Sequence, residues 1–521
     1  QRTNVEAARN AGGNLAFFSG NEVFWKTRWE PSIDGTATDG RTLVCYKETW
    51  ANAKIDPTPA WTGTWRDPRF SPPSDGGRPE NGLTGTAYMS NFTDLPITVS
   101  EREGKLRLWR NTSLANLPVG SSAALADHTI GYESDEDLDN GFRPQGLVRL
   151  STTTGATPQY LQDYGNTVAP GTTSHHLTEY RASSGALVFG AGTIQWAWGL
   201  SQNHDGVGAA ADPRIQQATI NILADMGATA ATVMSGLVAS TTSADTQGPT
   251  TVITSPAAGT TLANGTTITA TGTASDNGGG KVAGVEVSTD GGATWHPATG
   301  QGSWTYTFTL SGRGAVTLKV RAVDDSANIG AAASAAVTVN CPCSLFGDKL
   351  PATPSVSDTS AVELGVQFTP ADTGYVTAIR FYKGTGNTGT HTGSLWTSAG
   401  QLLATGTFTN ETGTGWQTLQ LAQSVPVNGG ATYVVSYFAP NGHYAADSGF
   451  FAAQDYSAPP LSAKGRPSGV SNGVYSSGHS FPTSTYGNTN YYVDVQFSVD
   501  DTTPPVVTGQ SPLPGSTSVA T

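Results

Sequence analysis

The stretch that says most about the fold is Val316-Thr-Leu-Lys-Val-Arg-Ala-Val323, in which apolar and polar residues alternate. A period of two residues places one face of an extended strand against a core and the other toward solvent. The same alternation recurs in Thr267-Ile-Thr-Ala-Thr-Gly-Thr273 and Trp304-Thr-Tyr-Thr-Phe-Thr-Leu310, and Asp290-Gly291-Gly292 is a turn between them. Residues 249–340 are therefore predicted to form an all-β sandwich.

Two segments of this sandwich, Val285-Glu-Val-Ser-Thr-Asp-Gly-Gly-Ala-Thr-Trp295 and Val320-Arg-Ala-Val-Asp-Asp325, resemble bacterial immunoglobulin-like modules. The resemblance implies a spacer. Residues 238–248 before it are small and polar, which is typical of a linker. Beyond the double proline at Pro504-Pro505, residues 500–521 are predicted to begin a further immunoglobulin-like domain.

Residues 344–499 also read as strands, including Val376-Thr-Ala-Ile-Arg-Phe-Tyr382 and Thr432-Tyr-Val-Val-Ser-Tyr-Phe438. Together with Leu364-Gly-Val-Gln-Phe368 they resemble a family of uncharacterised bacterial extracellular domains, which implies a jelly-roll-like sandwich. Trp396, Tyr444 and Asn441 are carbohydrate-binding candidates, because aromatic faces stack on sugar rings and amides bind hydroxyls. A purely structural spacer is the alternative. Trp416 opens an alternating strand and is expected to pack in the core.

Residues 1–237 mix helix and strand signals. Leu15-Ala-Phe-Phe18 reads as a buried strand, and Asp212-Pro213 supplies an N-cap and a first-turn proline. Apolar residues then follow at helical spacing, with Gly227 as the stop: Ile215, Ala218, Ile222 and Met226. This alternation of elements predicts an α/β layer.

Three segments of this region carry a family resemblance: Asn14-Leu-Ala-Phe-Phe-Ser-Gly-Asn-Glu22-Val-Phe-Trp25, Thr64-Trp-Arg-Asp67 and Leu187-Val-Phe-Gly-Ala-Gly192. They resemble the C-terminal part of the large (beta) subunit of N,N-dimethylformamidase. The resemblance implies a glutamine-amidotransferase-like α/β core and hydrolysis of an amide C–N bond with iron held by Tyr and Glu. The family's Gly-His-Asp-Glu-Tyr-Trp stretch is absent from this chain, which begins at Gln1. We therefore expect a truncated region that binds iron poorly, because one carboxylate cannot complete a site.

The catalytic candidates are Glu22, Glu80 and His204. Glu80 matches the family's metal-binding carboxylate by approximate spacing, and a solvated or capping carboxylate is the alternative. Glu22 follows a strand-to-turn transition, where a carboxylate can act as general base. Its alternative role is the first-turn acid of a short helix. His204, beside Asp205 in a glycine-rich loop, is either part of the site or a surface residue.

A dense acidic cluster lies at residues 133–139. Asp135, Asp137 and Asp139 mimic the alternate ligands of a calcium loop, so the cluster is a candidate metal site. Gly141 falls one position late and Gly146 stands where the last carboxylate would be, which excludes an EF-hand. The sequence leaves three interpretations of this cluster: a calcium site, ion pairs with the nearby arginines, and plain solvation.

Composition excludes some partners. The 27 basic and 40 acidic residues give a net charge of −13, without the cationic footprint that nucleic acids require. Apolar runs are far shorter than a membrane span. Cys341-Pro342-Cys343 is expected to hold two linker thiols or a labile bridge, and Cys45 a strand-core thiol.

These observations leave two classes of function for a secreted, modular bacterial protein. The first is an amide C–N hydrolase whose accessory modules bind a polysaccharide or the cell wall. The second is a non-catalytic surface or matrix protein that uses the hydrolase-like fold for binding or adhesion.

Overall fold

A computed structural model describes residues 1–69, 77–206, 210–310 and 313–499. No helix in those ranges is long and apolar enough to cross a membrane. The chain divides into two compact units. The first comprises Gln1–Ala257, Thr269–Tyr306 and Thr317–Ala335, and the second comprises Ala258–Ile268, Thr307–Val316 and the residues from Ala336 onward.

The N-terminal region is built mainly from strands, most of them short. They are β1 (Leu15–Phe17), β2 (Arg28–Glu30), β3 (Thr42–Val44), β4 (Ala87–Leu95), β5 (Thr98–Ser100), β6 (Ser122–Ala124), β7 (Ile130–Glu136), β8 (Val148–Arg149), β9 (Thr153–Gln162), β10 (Thr167–His175), β11 (Thr178–Arg181) and β12 (Leu187–Gly190).

Helices of this region are few, and only two exceed one turn. They are α1 (Arg2–Asn10), α2 (Glu48–Ala51), α3 (Asn81–Thr84), α4 (Glu101–Gly104) and α5 (Pro213–Asp225), with 3₁₀ turns at Arg107–Trp109, Ser113–Asn116 and Trp196–Gly199.

Two four-stranded sheets contain eight of these strands, in the orders β1-β12-β11-β8 and β10-β9-β4-β7, and β2 pairs with β3 and β5 with β6. Strand β1 runs parallel to β12, whereas the other pairings in both sheets are antiparallel. The predicted amidotransferase-like α/β layer is therefore not what this region shows. Hairpins joining β9 to β10 and β11 to β12 are too short for the crossover that parallel strands need.

Helix α5 confirms the helix predicted after Asp212. The Asp212 side chain accepts a hydrogen bond from the Arg214 N–H at 2.8 Å, and Pro213 is the first helical residue. Ile215 and Ile222 are fully buried in a core that also contains Trp109 and Trp196. The spacing of the apolar residues thus marked the buried face correctly.

The strands predicted between residues 249 and 340 are also present. They are β13 (Thr250–Ser255), β14 (Thr261–Ala263), β15 (Thr267–Ser275), β16 (Val282–Ser288), β17 (His296–Pro297), β18 (Thr299–Gly300), β19 (Ser303–Thr309), β20 (Gly314–Asp324) and β21 (Ala333–Asn340). They form two sheets, β13-β15-β19-β18 and β14-β21-β20-β16-β17. Trp304 of β19 is fully buried, as the alternating pattern predicted.

The last described module consists of further strands and one 3₁₀ turn, Arg466–Ser468. The strands are β22 (Val362–Pro370), β23 (Gly374–Lys383), β24 (Thr392–Thr397), β25 (Leu402–Thr407), β26 (Gly415–Val427), β27 (Tyr433–Ala439), β28 (Tyr456–Ala458), β29 (Leu461–Ala463), β30 (Val474–Ser477), β31 (Ser484–Thr485) and β32 (Val493–Ser498). An eight-stranded sheet contains the path β25-β24-β27-β22-β29-β28, and a second sheet has the order β26-β23-β32.

A disulfide joins Cys341 to Cys343 before this module. Cys343 is buried, and its backbone exchanges two hydrogen bonds of 2.7 Å with Phe497 of β32. Residues 341–343 are thus tied to the second sheet and do not form a free linker. The domain predicted to begin at residues 500–521 lies outside the described residues.

Candidate functional site

Three carboxyl groups singled out in the sequence lie near one another in the N-terminal region. Glu22 lies in the turn after β1, Glu80 directly precedes α3 without a side-chain hydrogen bond that caps it, and Asp135 is in β7. The Asn21 N–H donates to Asp135 Oδ1 at 2.9 Å and the Thr86 hydroxyl donates to Oδ2 at 3.0 Å. Strand β7 therefore holds the Asp135 carboxylate against the turn that carries Glu22.

Glu22 and Asp135 form an electrostatically coupled pair. Burial raises the pKa of Glu22, and the negative charge of Asp135 raises it further. Burial likewise raises the pKa of Asp135, and the charge of Glu80 adds to this effect. The Ser19 N–H donates to Glu22 Oε1 at 3.1 Å, whereas Glu22 Oε2 is buried without a donor in the described ranges. No helix begins at Glu22, so the first-turn role does not apply.

Glu80 is fully buried and neutralised by Arg66. The Arg66 guanidinium donates to both of its oxygens, and the Tyr88 N–H donates to Oε1 at 3.2 Å. A solvated carboxylate is therefore excluded. A guanidinium in direct contact with both oxygens does not fit a metal ligand, because its positive charge already neutralises the carboxylate and repels a second cation.

A cavity of about 350 Å³ has Asn21, the neighbour of Glu22, in its wall, whereas Glu22 and Asp135 are not among its lining residues. Its aromatic lining consists of Phe24, Trp25, Trp50 and Tyr88, and its polar lining consists of Asn21, Lys47, Asn91, Glu133, Gln159 and Asn166. Asn21 Nδ2 donates to Glu133 Oε2 at 3.0 Å, and the Tyr88 hydroxyl donates to Oε1 at 3.4 Å. Through Asn21 the cavity wall is connected to Asp135.

Two tryptophans form one wall of this cavity. Trp25 and Trp50 meet edge to face with ring centroids 5.4 Å apart. The Lys47 ammonium lies 4.8 Å from the Trp50 ring centre, and Trp50 Nε1 donates to the Gly165 carbonyl at 2.8 Å. Trp50 is 57% exposed despite these contacts, so a large part of its surface is available to a ligand.

The acidic cluster at residues 133–139 is divided among separate partners. Asp137 contacts Arg149 at 2.8 Å, Arg143 at 3.4 Å and His176 at 2.8 Å. Asp139 lies 2.8 Å from His296 Nδ1. Asp135, Asp137 and Asp139 therefore have different neighbours, and the arginine pairing considered from the sequence is present for Asp137.

Two histidines of the N-terminal region, His204 in a loop and His175 at the end of β10, have different surroundings. His204 stacks on Trp198 with a centroid distance of 4.3 Å, and its Nδ1 lies 2.8 Å from the Asp205 carbonyl. None of its contacts in the described ranges is with Glu22 or Glu80. His175, which carried no role in the sequence interpretation, is fully buried beside Gly192, and burial lowers its pKa to about 4.

The carbohydrate-binding candidates of residues 344–499 lie at two ends of strand β27. Trp396 is paired with Val434 near the start of β27, donates from Nε1 to Ser436 at 2.9 Å and packs on Phe481. Tyr444 and Asn441 follow the other end of the strand. The Tyr444 hydroxyl donates to Asp358 at 3.1 Å, and Asn441 Nδ2 donates to Thr388 at 3.1 Å.

Trp416 is held by contacts expected of a structural residue. Its ring lies 4.7 Å below the Arg380 guanidinium, faces Tyr382 and Tyr492, and donates from Nε1 to the Lys349 carbonyl at 3.1 Å.

Sequence reasoning missed the cavity. Trp25 is the last residue of a motif quoted above, but Trp50, Asn91 and Asn166 come from three other segments. The local signal that the sequence did contain is a tryptophan within the polar stretch Lys47-Glu-Thr-Trp50.

Three family models match successive parts of the chain. Residues 1–207 match "N,N-dimethylformamidase beta subunit-like, C-terminal", residues 249–320 match "Bacterial Ig domain", and residues 348–493 match "Domain of unknown function (DUF4082)". No curated protein matches the chain.

Solved structures show only distant similarity. Fibronectin(III)-like modules of Clostridium thermocellum CbhA are 22% identical, with 17% of this chain and 96% of theirs covered at a TM-score of 0.16. A putative membrane anchored protein from Corynebacterium diphtheriae is 12% identical, with 64% and 74% covered at 0.15. Escherichia coli alpha-2-macroglobulin is 11% identical, with 58% and 26% covered at 0.16. Similarity at these TM-scores carries no argument about function.

The order of the matched segments is the order predicted from the sequence: this multidomain bacterial protein carries a region of the N,N-dimethylformamidase beta subunit-like C-terminal family, then a bacterial Ig domain, then a DUF4082 domain.

Proposed function

We propose that this is an exported, modular binding protein whose N-terminal region takes a carbohydrate in the cavity lined by Trp25 and Trp50. The observation that carries the proposal is the combination, in one cavity, of a half-exposed tryptophan wall with amide and carboxylate side chains. Low charge content and the bacterial Ig domain support export to the cell surface or medium.

The chemistry of the cavity fits a neutral, hydroxyl-rich ligand. The indole face of Trp50 can cover the C–H face of a sugar ring. Asn91 and Gln159 are hydrogen-bonded to each other at 3.0 Å, and Asn166 Oδ1 is buried without a donor in the ranges described. A ligand hydroxyl would satisfy that acceptor, and an unsatisfied buried acceptor is costly otherwise.

The proposal is tested by retention of the full chain on insoluble cellulose, chitin, xylan and peptidoglycan. Trp50→Ala should weaken retention on the favoured polymer about tenfold, which corresponds to ~1.4 kcal/mol of lost contact. Trp29→Ala is the matched control, since Trp29 is also about half exposed but lies on β2, outside the cavity. Absence of retention on every polymer, or equal loss in both variants, would refute the proposal.

The coupled pair Glu22 and Asp135 supports a second function, hydrolysis of an amide C–N bond. When one carboxyl is protonated and the other is ionised, the first can donate a proton to the leaving amine and the second can accept a proton from the attacking water. Amine release from an amide by the wild-type chain, abolished by Glu22→Gln, would support it. Unchanged release in this variant would count against it.

No step of this reaction is assigned to iron, because the Arg66 contact does not fit Glu80 as a ligand. We expect the purified chain to contain no stoichiometric iron and to show negligible formamidase activity. Elemental analysis that found about one iron per chain, lost in Glu80→Ala, would contradict this expectation.

For residues 344–499 we propose an accessory role in polysaccharide or cell-wall binding, with Trp396 at one end of β27 and Tyr444 and Asn441 at the other. The Trp396 ring is half-buried and packs against Phe481. A shallow site of this kind would add to the retention of the whole chain and would bind weakly alone.

A further inference from the structure

Three aspartates outside the proposed binding site converge on one point in the first compact unit. Asp245 lies in the linker before the Ig-like strands, Asp276 follows β15, and Asp324 ends β20. Each contributes one carboxylate oxygen to a group whose oxygens all lie within 4.8 Å of one another. Asp324 is fully buried and the other two are partly buried.

The negative charge of this group has no cationic partner. No lysine, arginine or histidine forms an ion pair with any of the three in the part of the chain that the structure describes. Four other buried carboxylates of the same unit do have an arginine: Asp56 has Arg28, Glu80 has Arg66, Asp137 has Arg149 and Glu286 has Arg321. Carboxylates this close repel one another unless a cation or a proton intervenes.

Two of the three aspartates each have one carboxylate oxygen that accepts no hydrogen bond from the described residues. Asp276 Oδ2 accepts from the N–H groups of Gly278 and Gly280 at 3.1 and 2.7 Å, and Asp245 Oδ1 accepts from Gln247 N–H at 3.0 Å. Their second oxygens, Asp276 Oδ1 and Asp245 Oδ2, are inaccessible to solvent and have no donor among the described residues. A buried anionic oxygen without a protein donor or counter-ion is costly and indicates a place for a ligand.

We propose that Asp245, Asp276 and Asp324 bind a calcium ion. An all-oxygen carboxylate set favours a hard cation, whereas zinc prefers histidine and cysteine. Calcium binds oxygen at about 2.4 Å, so three oxygens that all lie within 4.8 Å of one another can reach a single ion. Magnesium needs shorter bonds and a stricter octahedron.

Calcium at this position would fasten the linker to the Ig-like strands. Asp245 comes from the linker, whereas Asp276 and Asp324 come from strand ends of the Ig-like sheets. Asn328 already connects these elements, since its Nδ2 lies 3.1 Å from the Asp245 carbonyl and 2.9 Å from Asp324 Oδ2. The ion would therefore slow hydrogen exchange in residues 240–249.

The test uses the full chain, stripped with EDTA and titrated with calcium from about 10 µM to about 10 mM, a range that includes weak calcium modules. We expect one calcium per chain by equilibrium dialysis, slower exchange at residues 240–249, and a higher melting temperature. Asp245→Asn should weaken binding at least about tenfold. This variant keeps the Gln247 contact and is the least disruptive choice; Asp39→Asn, an exposed carboxylate, is the control.

Two results would overturn the assignment. The first is no bound calcium and equal melting temperatures in EDTA and in millimolar calcium. The second is calcium binding that survives Asp245→Asn and Asp276→Asn but is lost in Asp135→Asn/Asp137→Asn, which would place the ion in the acidic cluster of residues 133–139. Should Asp276→Asn fail to fold, the wild-type stoichiometry and Asp245→Asn still decide between these outcomes. Magnesium at the same concentrations should not reproduce the effect.

Discussion

A single buried carboxyl group in the last module shows how strongly environment controls chemistry at the scale of a residue. Glu363 in β22 has no exposed surface, and its Oε1 accepts from the Ser436 hydroxyl at 2.6 Å. Among the described residues, the one polar neighbour of its Oε2 is His479 Nε2, at 3.7 Å. Burial raises the pKa of Glu363 to about 7, and the hydrogen bond from Ser436 opposes this shift. The protonated form is therefore the one that the fold accommodates.

Glu363 should make the stability of this module depend on pH. The unfolded carboxyl titrates near pH 4.5 and the folded one near pH 7. Between these values the folded state binds more protons than the unfolded state, so the free energy of unfolding falls as the pH rises. The stabilising effect of the protonated Glu363 carboxyl is complete only below pH 4.5. The loss is at most about 3 kcal/mol. In calorimetry of the full chain, Glu363→Gln should flatten this dependence. Asp348→Asn, an exposed control, should leave it unchanged, and a wild-type profile in Glu363→Gln would contradict the assignment.

The residue scale also shows how far sequence could identify the site. Glu22, Glu80 and Asp135 were selected for separate reasons, and the structure brings them together across more than a hundred positions of the chain. The Arg66 contact with Glu80 was not predictable, because nothing local indicates which buried arginine reaches a given carboxylate. The converging trio of Asp245, Asp276 and Asp324 was missed for the same reason.

At the scale of elements, local signals predicted helix α5 and the Ig-like strands because each depends on periodicity and capping within a few residues. The prediction of an α/β layer depended on pairing between distant strands. Strand β1 does pair in parallel with β12, but the short hairpins of β9–β10 and β11–β12 impose antiparallel pairing. The length of the connection between two strands therefore decides whether they pair in parallel or antiparallel. The prediction from mixed helix and strand signals did not take this length into account.

The cap of α5 provides a test at this scale. Asp212 accepts from the N–H groups of Arg214 and Ala126, at 2.8 and 2.9 Å, and also contacts the Arg214 side chain. Asp212→Ala should lower the free energy of unfolding by about 1 to 2 kcal/mol, whereas Asp212→Asn, which keeps an acceptor, should cost less. Thermal unfolding would measure both, with the exposed Asp205→Asn as control. Equal effects in all three variants would show that the cap contributes nothing.

At the scale of the whole molecule, the chain combines two candidate polysaccharide sites on separate modules with a net charge of −13. A neutral polymer releases no counterions when it binds, so the charge should contribute little to retention. Linking two weak sites makes the second contact intramolecular, and overall retention then exceeds that of either site. We therefore expect substitutions of aromatic side chains, and not of charged ones, to weaken retention on the polymer.

The last prediction follows from this linkage. If the Trp25 and Trp50 cavity and the Trp396 site grip the same polymer, Trp50→Ala and Trp396→Ala should each weaken retention of the full chain. The double variant should then be retained less than either single variant, because each single variant still holds the polymer through its other site. Quantitative retention on the favoured polymer, at low and moderate salt, would measure this, with Trp29→Ala as control. A double variant no weaker than Trp50→Ala would remove the last module from binding, and retention abolished by moderate salt would indicate a charged partner instead.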